Sequence, residues 1–225
     1  MFWEEDTNDL SSTESQHVVD ISYKISCRCL PVDHAHALSE ALKTALDWLE
    51  GEPLAGLHLV HVAGSQNGWM RPEAGYELLQ LSKRTRLQLR VPKHRIEDAK
   101  RLSGQTLDVA GHQIEVSESH IRPLQTSDVL FSRYVITDFD DEIQFEQWAV
   151  DELRALDIRF RKTMAGMRHT MHISGQPVVT CSLLVADLPA EDSIKLQETG
   201  LGAGRTHGCG IFIPHKGIKA VDSSQ

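Results

Sequence analysis

Residues 200–210, Gly-Leu-Gly-Ala-Gly-Arg-Thr-His-Gly-Cys-Gly, carry five glycines around Arg205, Thr206 and His207. Glycine admits positive φ and close approach of another backbone. Successive N–H groups in such a loop can form a concavity for an anion, with Arg205 and His207 as side-chain donors. This chemistry points to a phosphate. The spacing lacks the Gly-Lys-Ser/Thr ending of a nucleotide-cradling loop. A dinucleotide loop lies between a strand and a following helix, whereas here a helical stretch (189–199) precedes the glycines and a strand (209–214) follows. A plain mobile connector is the remaining alternative.

A second chemical signal lies between Lys83 and Arg101, where eight Lys or Arg (83, 84, 86, 90, 93, 95, 100 and 101) stand against two acids, Glu97 and Asp98. Arg84, Arg86 and Arg90 alternate with Thr85, Leu87, Leu89 and Val91, so a strand here has one basic and one apolar face. Lys93, Arg95, Lys100 and Arg101 fall on a short helix after Pro92. A net charge of −9 over 225 residues excludes a general polyanion binder. A basic stripe on an acidic chain suits one limited anionic partner.

The elements that must position these residues follow a repeated order. Residues 18–30 alternate as a strand, 33–49 carry apolar residues at helical spacing after Asp33, and 57–63 form a short strand before a polar loop at 64–75. A strand over 79–91, a helix over 93–103 and a hairpin about Ala110-Gly111 complete a first βαββαβ set. The second comprises a strand at 129–137, a helix at 142–156 with Ile143, Trp148, Leu153 and Leu156 inward, strands at 158–173 and 178–186, a helix at 189–199 and a strand at 211–213. Two such units define an α+β chain of tandem ferredoxin-like (RRM-like) folds. The expected boundaries are an acidic flexible tail at 1–17, units at 18–124 and 125–217, and a flexible tail at 218–225. Met164, Met167 and Met171 read as core filling. Four cysteines read as reduced thiols. The N-terminal stretch resembles neither a signal nor a transit peptide and no apolar run is long enough to span a membrane, so a cytoplasmic protein without membrane partners is expected.

The tandem fold with Gly202 to Gly210 between its last helix and last strand, the run Leu30-Pro31-Val32-Asp33-His34-Ala35-His36-Ala37-Leu38 and the ending Ile211-Phe212-Ile213-Pro214-His215-Lys216-Gly217 together resemble the CRISPR-associated repeat-cleaving endoribonucleases, the Cas-six family of the RAMP superfamily, in a subgroup found in type I systems. The resemblance covers nearly the whole chain after residue 18. It implies a metal-independent endoribonuclease that needs no cofactor, cuts CRISPR repeat RNA by attack of a 2′-hydroxyl to leave a cyclic phosphate, and stays on the crRNA stem-loop beside other Cas proteins of a type I effector complex. The basic stripe and the low aromatic content of 6% agree with recognition through phosphates and shape.

Such cleavage requires a proton acceptor, a proton donor and positive charge at the phosphate, and histidine suits the first two roles. The resemblance directs attention to the start of the first long helix, hence to His34 or His36, with His58 just beyond the helix as a third choice; Tyr23 and Lys43 are possible helpers. Arg84, Arg86, Arg90, Lys93, Arg95, Lys100, Arg101, Gly202, Gly204, Arg205, His207, Gly208 and Gly210 are the expected RNA contacts. The alternatives are a non-catalytic crRNA-binding subunit and a tandem ferredoxin-like interaction module that binds no RNA.

Overall fold

A computed structural model describes residue 15 and residues 17–61 and 77–215. The expected polar loop at 64–75 and nearly all of both expected tails lie outside the described residues.

Strand β1 (Val18–Ser26) is followed by the short β2 (Cys29–Pro31), helix α1 (Ala35–Ala45) and β3 (Gly56–His58). Then come β4 (Leu78–Gln80), β5 (Arg86–Pro92), a 3-10 turn at Lys93–Arg95, α2 (Ile96–Lys100), β6 (Thr106–Val109) and β7 (His112–Pro123). These strands form an antiparallel sheet in the order β3-β5-β1-β7-β6, with β2 and β4 paired beside it. Without β6, the order is that of one ferredoxin-like unit.

The second sheet uses β8 (Val129–Ile136), β9 (Lys162–Ile173), β10 (Gln176–Ala186) and β11 (Ile213–Pro214), with α3 (Glu142–Ala155) and α4 (Ala190–Thr199) as its helices. Its order, β11-β8-β10-β9, repeats the first pattern. Among the described residues no helix is long and apolar enough to cross a membrane.

β1 shows why the units stay together. Val19, Ile21, Tyr23 and Ile25 pack with Leu38, Leu42 and Ala99 in the first core; the Tyr23 hydroxyl donates to Ala99 O at 2.8 Å, so Tyr23 is spent inside the fold. The opposite face is enclosed at Asp20 and Ser22 and exposed at Lys24 and Ser26. Val18 at its start packs with Leu124 and Ile194 from α4. Over its first half β1 is thus covered on both faces, although its sequence alternates.

Several expected elements shift. The strand expected over 79–91 divides into β4 and β5 around a turn in which Thr85 N–H donates to Ser82 O. The helix expected over 93–103 tightens to a 3-10 turn followed by one short helix. On α3, Leu153 is buried and Trp148 and Leu156 pack against the core as expected, with Phe145 and Ala149 beside them, but Ile143 is 76% exposed. Met171 is buried, but Met164 and Met167 stand in solvent on β9.

Candidate active site

Helix α1 packs against the 3-10 turn at Arg205–His207 and against β9, and the turn packs against β3, where the two units join. On α1, His36, Glu40 and Lys43 recur at helical spacing and present one face. The His36 and His207 rings stack with centroids 5.8 Å apart and planes inclined by 17°. His36 Nδ1 and His207 Nε2 are both enclosed and make no hydrogen bond. Leaving a buried polar atom unsatisfied costs about 1–3 kcal/mol. Two such atoms lie together at this seam, which makes it a candidate site.

The electrostatics favour proton transfer. Burial lowers the His207 pKa from its ordinary value, and Lys43 and His36 push in the same direction despite Glu40 and Glu50. His207 is therefore neutral near pH 7 and suited to accept a proton. Burial works against the Lys43 charge, but hydrogen bonds from its Nζ to Glu40 Oε1 and Glu50 Oε1, each at 3.2 Å, raise its pKa overall. A lasting cation thus stands beside the two imidazoles. Chemically, the arrangement offers two proton carriers and one positive charge, the set needed to move a ribose 2′-OH proton onto a leaving oxygen. A pH profile follows from the sign of the His207 shift. The single-turnover rate should fall on the acid side with a midpoint below 6.5, and Lys43→Gln should move that limb to higher pH. An unmoved limb would mean that the titrating base is not His207.

The other expected catalytic histidines sit in different surroundings. His34 is 1% exposed. Its Nδ1 lies 2.8 Å from Pro31 O, and its Nε2 accepts from Val60 N–H at 3.1 Å. It tethers the start of α1 to the chain beyond β3, with its ring enclosed. His58 Nε2 meets Asp20 Oδ1 at 3.2 Å inside a mostly enclosed network.

Arg90 and Arg205 are also corrected, for a shared reason. Arg90 is 0% exposed. Its Nε and Nη2 donate to the two carboxylate oxygens of Asp20, its cross-strand neighbour, and its Nη1 donates to Gln197 O and Phe212 O of the second unit. Burial alone would raise the Asp20 pKa, but Arg90 and His58 hold it well below the usual carboxylate range. Arg205 reaches the opposite way, donating to Leu54 O and Ala55 O of the first unit and to Glu198 O and Thr199 O at the end of α4. Burial and the nearby Arg90 lower its pKa to about 10, so it remains charged. Each arginine staples one unit to backbone carbonyls of the other.

The glycine loop serves the same junction. A Cβ on Gly208, where φ is +81°, would lie 2.5 Å from Leu59 Cγ; one on Gly210 would lie 2.2 Å from Leu201 O. The N–H groups of Leu201, Cys209 and Gly210 donate to Gly210 O, Gly204 O and Tyr134 O. Gly204 is likewise closed in by Ile136 and Cys209, whereas Gly202 is exposed. The glycines at 204, 208 and 210 thus let protein pass on both sides of the loop, which fixes the position of His207.

Of the basic stripe, Arg84 and Lys93 are exposed, and Arg86 donates to Lys83 O and Thr85 O. Arg95 lies over Trp48 and pairs with Glu52 and Asp98, Lys100 pairs with Glu97, and Arg101 with Asp98. These pairs neutralise most of the expected basic helix.

Sequence reasoning missed the groove between β3 and β8, lined by His58, His61, Phe131, Arg133 and Tyr134. Arg133 is exposed with its guanidinium 5.9 Å from the Phe131 ring centroid, and Tyr134 lies between the rings of His61 and His169. The aromatic and basic alternation Phe131-Ser132-Arg133-Tyr134 was the available signal.

A family model described as Cas6 Crispr matches residues 19–217. The CRISPR-associated endonuclease Cas6 of Myxococcus xanthus (strain DK1622) is 29% identical over 197 residues, covering 87% of this chain and 81% of that protein. Among solved structures, a CRISPR associated protein Cas6 superposes with a TM-score of 0.62 at 13% identity, covering 88% of this chain and 100% of that one. A structure described as a RAMP protein binding different RNA substrates superposes with a TM-score of 0.61 at 12% identity, with 88% and 100% coverage. Likeness at these identities establishes the tandem ferredoxin-like fold.

Proposed function

The chain belongs to the Cas6 family, and we propose that it is a metal-independent endoribonuclease that cuts CRISPR repeat RNA through His36 and His207. The stacked imidazoles with unsatisfied ring nitrogens carry this reading. In the reaction, His207 takes the ribose 2′-OH proton. The resulting oxygen attacks the adjacent phosphorus, the bond to the 5′-oxygen breaks, and His36 supplies the proton to that oxygen. Lys43 offsets negative charge gathering on the phosphate. The products are a 2′,3′-cyclic phosphate and a 5′-hydroxyl. RNA lies over the groove of Arg133 and Phe131, with Arg84, Arg86 and Lys93 as outlying phosphate contacts. The cut crRNA is retained and passed with the protein into a type I effector complex.

Purified protein incubated with its neighbouring CRISPR repeat in EDTA should make a single cut that leaves a cyclic phosphate end. Cleavage that appears only when magnesium is added would remove the reading.

A further inference from the structure

Beyond its acid–base role, the seam between α1 and the glycine loop has the composition of a transition-metal site. One ring nitrogen each of His36 and His207 and a carboxylate oxygen of Glu40 lie within 4.8 Å of one another. Two imidazoles and one carboxylate are a common donor set for Zn²⁺ with a position left for water. Both histidines hold an enclosed nitrogen with no hydrogen-bond partner, so neither lone pair is committed elsewhere. The Lys43 bond engages Glu40 Oε1 alone and leaves Oε2 as a donor. Backbone supports both sides: His36 and Glu40 are one turn apart on α1, and His207 ends a 3-10 turn between Gly204 and Gly208.

We infer that His36, Glu40 and His207 form a Zn²⁺ site that switches the enzyme off. This rests on the nuclease reading above, because the ion would take the lone pairs that proton transfer needs. Binding breaks no covalent bond and transfers no electron. Lys43 keeps the site from holding the ion permanently, since its charge opposes a dication.

The test uses chelator-stripped full-length protein, with Co²⁺ as a visible probe displaced by Zn²⁺, beside single-turnover cleavage of repeat RNA with and without added Zn²⁺. One ion per chain is expected, with cleavage stopped by Zn²⁺ and restored by EDTA. Loss of one ligand should weaken binding by about 100-fold or more, at the upper end of what even outer-shell changes cause. His36→Ala and His207→Ala should therefore lose the Co²⁺ band, and Glu40→Gln should weaken Zn²⁺ binding while melting normally. An undiminished band in the His36→Ala/His207→Ala double variant overturns the site, as does stimulation of cleavage by Zn²⁺. The two readings fail separately. Histidine-dependent Zn²⁺ binding without cleavage in EDTA removes the nuclease reading alone. Cleavage in EDTA that depends on His36, with no Zn²⁺ bound there, removes the metal site alone.

Discussion

His36→Ala and His207→Ala should each slow single-turnover cleavage of repeat RNA by about 10²- to 10⁴-fold, the range supplied by a positioned acid or base. Repeat affinity should change little, because the exposed Arg84, Lys93 and Arg133 are left in place. The melting temperature should hold or rise slightly, since each change removes an enclosed nitrogen with no partner. His34→Ala provides the contrast. Its ring satisfies Pro31 O and Val60 N–H in the interior, so its loss should appear as lowered stability and only secondarily in rate. Wild-type cleavage by the His36 variant would detach the chemistry from this seam.

Arg90→Ala should destabilise the protein by about 3–5 kcal/mol, the cost of removing one partner from a buried ion pair. In a chain of this length that corresponds to a fall of about 6–20 °C in melting temperature. Asp20 would be left enclosed with only His58, while Gln197 O and Phe212 O would lose their donor. The sign with pH follows from Asp20. Its folded pKa lies below the unfolded value, so the stabilisation is present above the unfolded pKa of about 3.9 and is lost as pH falls toward the folded one. The variant should therefore show less acid-induced loss of stability than the parent. Pairing Arg90→Met with Asp20→Leu should recover much of the loss, since an apolar pair often replaces a buried ion pair at little cost. A melting temperature within a degree or two of the parent would mean that Arg90 does not hold the units together.

The order of elements was legible in the chain itself because it is written in local patterns. Alternation in residues 18–26 and 129–136, helical spacing after Asp33 and before Gly200, and the turn at Ala110-Gly111 each depend on a few neighbouring residues. Turn geometry agreed: Ala110 and Gly111 both adopt positive φ. From such patterns followed the tandem ferredoxin-like fold, and with the glycine loop the family resemblance. The importance of His36 and His207 was also marked, though as separate candidates for separate tasks.

Only the tertiary structure decided what lay opposite each face. Alternation separates the basic side of residues 84–90 from the apolar side, but it cannot say that the second unit covers Arg90. Composition marks Arg205 as a donor, but four carbonyls from two segments use its guanidinium. His34 and His36 are equivalent by residue type; one half-turn of chain sends the first into the interior and the second to the seam. The pairing of His36 with His207 joins distant segments, brought together because glycines at 204, 208 and 210 let the loop pass between Ile136, Leu59 and Leu201. A site made by two surfaces meeting has no local period in the sequence, and close packing alone determines which side chains meet there.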